Sequence, residues 1–355
     1  MKNYKRLGDY IREVNVRNRE LEVKNLLGVS ISKEFMPSIA NTIGTDMSTY
    51  KIVKRGQFAY GPVTSRNGDK VSIALLDGHD DAIISQAYTV FEIINQESLL
   101  PEYLMMWFRR PEFDRYARFH SHGSAREVFD WDELCDVMLP IPSITRQREI
   151  VAEYETLTRR IRINEQMIQH LESTAQTLYR KMFVDGIDKE NLPDGWRMGT
   201  IEEIADIKNG KAIIPEQGNF PIYGGNGIVG YTGLTNAKGI VVIGRVGINC
   251  GSLFLHQGEC YVNDNAMMSI PKNNDLIFLY LTLKQIDLNS QSEGSGQPLL
   301  TQSIIYKQEC VIPNKALRAE FNKQGQIIYS NKVLIEQENE KLTELQSLLL
   351  AKMGQ

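Results

Sequence analysis

The chain has 355 residues, 42% of them apolar and 24% charged, the make-up of a soluble globular protein with room for two domains of ordinary size. No apolar run approaches the roughly 20 residues that span a bilayer, and the basic start Met1-Lys-Asn-Tyr-Lys-Arg leads into Leu-Gly-Asp-Tyr, so neither a membrane anchor nor a secretion signal is expected. The net charge of −4 is unlike that of a lone nucleic-acid binder, which usually carries a basic excess; any contact with DNA has to come from locally placed cations or from partner subunits.

Short β-type runs come first, Lys51-Ile-Val-Lys and Val71-Ser-Ile-Ala-Leu-Leu, separated by polar and glycine punctuation. A helical stretch, Pro101-Glu-Tyr-Leu-Met-Met-Trp-Phe, follows, and this mixed region ends at Ile141-Pro142. Proline disfavours helix at the residue before it and suits a helix start just after it. Ile150, Tyr154, Leu157, Ile161, Asn164, Ile168, Leu171, Ala175, Leu178 and Met182 then alternate steps of four and three. That is the seam of a coiled coil.

The order then recurs. Gly239-Ile-Val-Val-Ile-Gly and Gly251-Ser-Leu-Phe-Leu are β-type runs, Leu276-Ile-Phe-Leu-Tyr-Leu-Thr-Leu is helical, and Ile312-Pro313 closes the mixed region. Phe321, Gly325, Ile328, Lys332, Ile335, Asn339, Leu342, Gln346, Leu349 and Met353 form the second seam. A shift of 171 superposes Ser121, Gly123 and Ser124 on Ser292, Gly294 and Ser295, and Ile141-Pro142 on Ile312-Pro313; it continues without a gap to Lys181-Met182 on Lys352-Met353. Gly61 and Gly68 match Gly244 and Gly251 at 183, and Arg6, Gly8 and Asn18 match Arg197, Gly199 and Asn209 at 191, so the first copy reads as 191 − 171 = 20 residues longer. The chain is a duplication.

Asn164 and Asn339 are not equivalent under the 171 shift. They face each other if the two helices run antiparallel with facing residue numbers that add to 503, a register that also sets Ile150 against Met353 and Met182 against Phe321. A paired buried asparagine fixes register. The expected fold is therefore α+β: two similar mixed α/β modules separated by an antiparallel two-helix coiled coil, with pseudo-two-fold symmetry. A 150–182 seam is about 50 Å long, comparable to one to one and a half turns of duplex at roughly 3.4 Å per base pair, which describes a caliper.

Cys135, Cys250, Cys260 and Cys310 are scattered with no C-x-x-C pair, and read as buried free thiols of a reducing cytoplasm. Gly225-Asn-Gly227-Ile-Val-Gly230 spells the dinucleotide fingerprint, but Tyr231-Thr-Gly-Leu-Thr-Asn after it reads as turn and strand rather than the required helix. His120-Ser-His122 lacks a supporting ligand cluster. No adenine-methylase tetrad, P-loop or serine-nucleophile elbow is present, so no catalytic residue and no metal ligand is assigned.

Pro221-Ile-Tyr-Gly-Gly-Asn-Gly-Ile-Val-Gly-Tyr, Ile243-Gly-Arg-Val-Gly, Gly294-Ser-Gly-Gln-Pro-Leu-Leu and the junction Ile141-Pro-Ser-Ile-Thr-Arg-Gln-Arg-Glu-Ile, with the duplication and the paired helices, resemble the specificity (S) subunits of type I restriction–modification systems, the HsdS family. The resemblance covers nearly the whole chain. It implies target-recognition domains at 1–142 and 197–313, spacer helices at 143–184 and 314–355, and a linker at 185–196. It further implies a cytoplasmic, non-catalytic subunit that reads a bipartite site in double-stranded DNA. The helices would dock two methyltransferase (M) subunits, and restriction (R) subunits would join through the complex. No cofactor is expected on this chain: S-adenosylmethionine would belong to the methyltransferase, and ATP and Mg to the restriction subunit. The second copy departs from the pattern in reading Ile312-Pro-Asn-Lys-Ala-Leu-Arg-Ala-Glu-Phe at the junction, and the first lacks the Tyr-Gly-Gly-Asn-Gly segment.

Base edges are read by long polar side chains, Arg or Lys on guanine and Asn or Gln on adenine. The DNA-binding candidates on glycine-flexed loops are Arg66, Asn67, Lys70, His122, Ser124 and Arg126 in the first module, and Tyr223, Asn226, Arg245, Asn249, Ser295 and Gln297 in the second. For each alone, a solvated turn or a local backbone hydrogen bond is at least as common a role. Arg159, Arg160 and Arg162 read as a solvated helix face. The alternatives are a specificity subunit of a modification-only or related defence complex, an adaptor that spaces protein partners without DNA, and, last, a free-standing enzyme.

Overall fold

The computed structural model describes residues 4–38, 44–65, 67–68, 70–123, 126–293 and 298–354. They form two compact units, residues 1–163 with 338–355, and residues 164–337. The division falls inside the two long helices, so each unit owns part of both.

The first unit contains strands β1 (Tyr4–Arg6), β2 (Ile11–Val14), β3 (Leu27–Val29), β4 (Phe35–Pro37), β5 (Lys51–Lys54), β6 (Phe58–Tyr60), β7 (Ile73–Leu75), β8 (Asp81–Ile84) and β9 (Thr89–Ile93). Helices α1 (Pro101–Phe108), α2 (Pro111–Phe119) and α3 (Trp131–Cys135) precede β10 (Met138–Pro140), after which α4 (Ile144–Phe183) begins. The expected runs at 51, 71 and 101 are β5, β7 and α1. An antiparallel sheet in the order β2-β9-β6-β7 is flanked by the pairs β1–β10, β3–β4 and β5–β8. Its side chains alternate between two cores, as the two-residue period of a strand requires. Phe58, Tyr60, Ile73 and Phe91 meet Leu104 and Phe108 of α1, while Ala59, Ala74 and Val90 meet Val53, Ala82 and Ile84. The rings of Phe58 and Phe91 stack at 4.8 Å, with Phe108 edge-on to both.

The second unit contains β11 (Arg197–Thr200), α5 (Ile201–Ile204), β12 (Ala205–Asn209), β13 (Phe220–Gly224), β14 (Gly227–Thr232), β15 (Ala237–Gly244), β16 (Leu253–Val262), β17 (Ala266–Pro271), α6 (Leu276–Ile286), α7 (Gln302–Tyr306), β18 (Glu309–Ile312) and the start of α8 (Lys315–Met353). β11 pairs with β18, and a six-stranded sheet runs β12-β17-β15-β16-β13-β14. β15 is central, and its run Ile240-Val-Val-Ile is continuously apolar and buried, the signature of a strand covered on both faces. Val241 and Ile243 pack toward α6, and Ile240 and Val242 toward Tyr223, Val262 and Met268.

Matching hydrogen bonds show the duplication directly. Leu7 N–H donates to Val137 O and Ile201 N–H to Gln308 O; Ile94 N–H donates to Tyr10 O and Lys272 N–H to Ile204 O. Gln308 lies 308 − 137 = 171 beyond its counterpart, but Ile201 lies 201 − 7 = 194 beyond its own. The starts of the copies are thus offset by 194, not 191. The matches Arg6/Arg197, Gly8/Gly199 and Asn18/Asn209 are three residues out of structural register, and the first copy is longer by 194 − 171 = 23. Further on, the bridges Val63–Val128 and Val246–Leu299 keep the expected offsets of 183 and 171.

The junction that distinguished the copies in sequence has a structural counterpart in both. Gln147, fully buried on the first turn of α4, accepts from Leu100 N–H at 2.9 Å and donates to Ser98 O and Pro142 O at 2.9 Å each. It thereby caps α1, whose N-cap position has no side-chain cap of its own. In the second unit Asn322 accepts from Ile277 N–H at 2.8 Å and donates to Asn274 O at 2.6 Å, doing the same for α6. Arg318, 171 residues beyond Gln147, forms a buried ion pair with Asp275 at 2.7 Å. The amide has moved one turn along the helix.

All twenty expected seam positions are buried or half-buried. In the first unit α4 and α8 run antiparallel: Val151 and Tyr154 share a core with Leu350 and Met353, Gln346 Nε2 donates to Thr158 Oγ1 at 2.7 Å, and Arg160 binds Glu338 bidentately at 2.9 and 3.0 Å. Arg159, Arg160 and Arg162 are exposed, so the face is solvated as expected, and Arg160 adds an ion pair across it. In the second unit Lys332 meets Glu172 at 2.5 Å, and Tyr179 and Phe183 pack on Phe321 with ring centroids 5.9 and 5.1 Å apart. The pairs Thr158–Gln346 and Glu172–Lys332 lie one residue from the expected register. Asn164, in the second unit, is 1% exposed, and Asn339, in the first, is half-buried. Within the second unit the helices are more than a coiled coil, because they also form the wall against which α6 packs. Tyr179 OH bonds Thr282 Oγ1 at 3.0 Å, and Gly325 lies so close to α6 that a Cβ there would sit 2.6 Å from Ile277 Cγ2.

Candidate nucleic-acid interface

In the second unit, sheet order gathers segments that are far apart in sequence. The β13–β14 hairpin turns at Gly225-Asn226, so the G-x-G-x-x-G string is a hairpin, as expected, and not a phosphate cradle. Arg245 N–H donates to Asn265 O at 3.2 Å, Leu300 N–H to Arg245 O at 2.9 Å, and Gly247 N–H to Pro298 O at 2.9 Å. Gly210 N–H donates to Ala266 O at 3.0 Å, which brings the end of β12 alongside. Gly244 sits at the crossing: a Cβ there would lie 2.3 Å from Asn249 O and 2.7 Å from Gly225 O, so no larger residue fits. The hairpin tip, the 244–250 loop, the 263–266 turn and the chain at 298–300 therefore form one end of the sheet.

The candidates divide sharply on this frame. Asn226 is exposed at the hairpin tip, and Arg245 and Asn249 are partly exposed on the loop. Arg245 makes no ion pair or side-chain hydrogen bond among the described residues, and its Nε is buried without a partner. Tyr223 differs from expectation. It is 8% exposed in the second core, its hydroxyl bonds His256 Nδ1 at 3.2 Å, and burial pushes it up to about 12. A side chain so enclosed supports the hairpin from below and cannot reach a base. Ser295 and Gln297 lie outside the described residues. Residue-by-residue reading missed Lys208, Lys211 and Asn265, all exposed at this end. Neither lysine has an ion-pair partner among the described residues, whereas Lys238 of β15 and Lys272 just after β17 each have one. Asp264 is the acid of the adjoining turn. Only the strand order β12-β17-β15 brings these residues beside Arg245; the one signal in sequence was Lys208-Asn-Gly-Lys, a basic run with its own glycine.

The first unit brings its two candidate loops together by the same device. Val128 bridges both Val63 and His122, as Leu299 bridges Val246 and Glu293, and Thr64 Oγ1 bonds Ser121 Oγ at 3.0 Å. Asn67 is committed to its own turn, donating to Val63 O and Ser72 Oγ at 3.2 Å. Lys70 and Arg126 are exposed. His120 Nδ1 and His122 Nε2 share the carboxylate of Glu133 at 3.0 and 3.4 Å, and Arg118 pairs with Glu127 across the same loop. Arg66 and Ser124 lie outside the described residues.

The described residues include no group of three or more His, Cys, Asp or Glu placed to hold a metal. The four cysteines are buried and free, and burial pushes each thiol up, away from the thiolate a nucleophile needs. No helix among the described residues is long and apolar enough to cross a membrane.

Residues 193–347 match the family described as type I restriction modification DNA specificity domain. Along its length the chain is similar to the type I restriction enzyme HindI specificity subunit of Haemophilus influenzae, 21% identical with 98% of this chain and 97% of that one covered. Its fold is that of the S subunit of a type I restriction–modification system from M. genitalium, with a TM-score of 0.67 at 16% identity, covering 100% of this chain and 96% of that one. A chain from a study of complex assembly and conformational transition of the type I R-M system matches at a TM-score of 0.50 and 18% identity, over 99% of this chain and 97% of its own length.

Proposed function

We infer that this chain, a member of the type I restriction–modification specificity-subunit family, is the DNA-reading subunit of such a complex. Each unit would read one half of a bipartite target in double-stranded DNA. The observation that carries this reading is the cluster at the end of the second sheet. In a chain of net charge −4, Lys208, Lys211 and Arg245 gather at one end of the sheet with no ion-pair partner among the described residues, beside Asn226, Asn249 and Asn265. Unpaired cations on a rigid frame supply phosphate attraction, and arginine and asparagine supply groups able to recognise guanine and adenine edges.

The chemistry is assigned to partners. Two methyltransferase subunits, carrying S-adenosylmethionine, would dock on α4 and α8, and ATP-dependent restriction subunits, with Mg, would join through them in the cytoplasm. The proposed domains are 1–142 and 197–313 for reading, 143–184 and 314–355 for docking, with 185–196 between. Selection from a random duplex pool by the chain co-expressed with its methyltransferase tests this. Enrichment of a split motif with a constant gap is the expected outcome, and enrichment of no sequence would refute it.

A further inference from the structure

Ile248 has the highest exposure of any large apolar side chain among the described residues, at 93%. It occupies the middle of a single 3-10 turn, Gly247–Asn249, between Arg245 and Asn249. Isolated apolar side chains on a protein surface are ordinary, but they usually lie on segments free to fold back. This one is held out.

The turn is braced on every side. Gly247 N–H donates to Pro298 O, Cys250 N–H to Gly247 O, Gly251 N–H to Gly244 O and Ser252 N–H to Asn249 O, at 2.8–3.1 Å. Asn289 Nδ2 donates to Cys250 O at 2.7 Å, and Cys250 is itself buried. Gly251 has φ +85°, and a Cβ there would sit 2.5 Å from Asn289 N, so the loop is pressed against the chain beneath it. The 3-10 turn cannot rotate to bury the isoleucine without breaking several of these bonds.

An aliphatic group cannot hydrogen-bond, so on a duplex it discriminates in two ways. It contacts the C5 methyl group of thymine in the major groove, or it wedges between base steps. The neighbours decide between them. Arg245 and Asn249 carry the bidentate groups that match guanine and adenine edges in the major groove, and Ile248 stands between them on the same short turn. Resting on the DNA-reading function inferred above, we propose that Ile248 is a specificity-determining residue that reads the methyl group of one thymine in the half-site recognised by the second unit.

The test uses the full chain with its methyltransferase subunits and a duplex carrying the motif enriched by the wild-type complex. Each thymine of the second half-site is replaced in turn by deoxyuridine, which removes only the methyl group. At one position the wild-type complex should bind about fourfold more weakly, the effect of one buried methyl-sized group. Ile248→Ala should weaken binding to the thymine duplex by about four- to tenfold and make the complex indifferent to that replacement, while Ile248→Val keeps the sensitivity. Being fully exposed, the position tolerates these changes without loss of fold. A second half-site lacking any A·T pair, a wild-type complex indifferent to deoxyuridine everywhere, or an alanine variant with wild-type affinity would each overturn the proposal. Weaker binding by the variant beside an indifferent wild type would replace the methyl contact with a wedge and so also overturn it. Failure to enrich any motif in the first step would instead strike at the DNA-reading function.

Discussion

Gln147 satisfies three backbone groups at once, one N–H and two carbonyls, in a place water does not reach. Gln147→Leu keeps the volume but leaves the Leu100 N–H without a partner, and an orphaned buried donor costs about 1–3 kcal/mol. Urea unfolding should show a loss of about 2–4 kcal/mol when the two carbonyls are included. At the reading face, Arg245 and Tyr223 separate what was grouped in sequence. Arg245→Ala should relax preference at one base pair of the second half-site, by about 1–3 kcal/mol in competition binding. Tyr223→Phe should leave the methylated motif unchanged and lower stability by about 0.5–1.5 kcal/mol through the lost bond to His256. Glycine-rich loops mark where the candidate residues gather, but not which side chains point outward. Tyr223 follows the buried Ile222 in β13, so two successive side chains on opposite faces are both covered, and no local pattern records that.

At the scale of elements, the seams were the most legible part of the chain, because a step of four and three survives polar interruptions. Gly325 is a seam position without a side chain, and its closeness to α6 accounts for the glycine. In an exposed helix Gly→Ala gains about 1 kcal/mol of propensity. Here the new Cβ would meet Ile277 Cγ2 at 2.6 Å and its Cβ at 3.1 Å, and overpacking of that kind costs about 1–3 kcal/mol. Gly325→Ala should therefore be neutral to destabilising, by up to about 2 kcal/mol in thermal or urea unfolding; a clear gain in stability would mean that α6 yields. The short elements were less legible. α3 and α7 are 5 residues long each, too brief for a helical period to declare itself. The 191 offset failed for a related reason: three single-residue matches carried it, whereas the hydrogen bonds that define the 194 offset join residues from opposite ends of each copy.

Across the whole molecule, the near balance of charge conceals an uneven distribution. Replacing Lys208 and Lys211 together by alanine should lower affinity for every sequence alike and reduce the slope of log K against log salt by up to about 2. The recognised motif should remain the same. A changed motif with an unaltered slope would show that these lysines touch bases. The strand order that makes them neighbours of Arg245 is a property of the folded sheet, and so is invisible to a reading in chain order.

The first unit is completed by the last turns of α8: Leu350 and Met353 lie in its main core, and Tyr4 OH donates to Gly354 O at 3.0 Å. During synthesis this module therefore cannot finish folding until residues 350–354 have been translated, although its first strand left the ribosome long before. A chain stopped at residue 337 should retain the second unit's protection from hydrogen exchange while Val151 and Tyr154 lose theirs, so prematurely terminated copies would be left open to proteases rather than persist as half-readers.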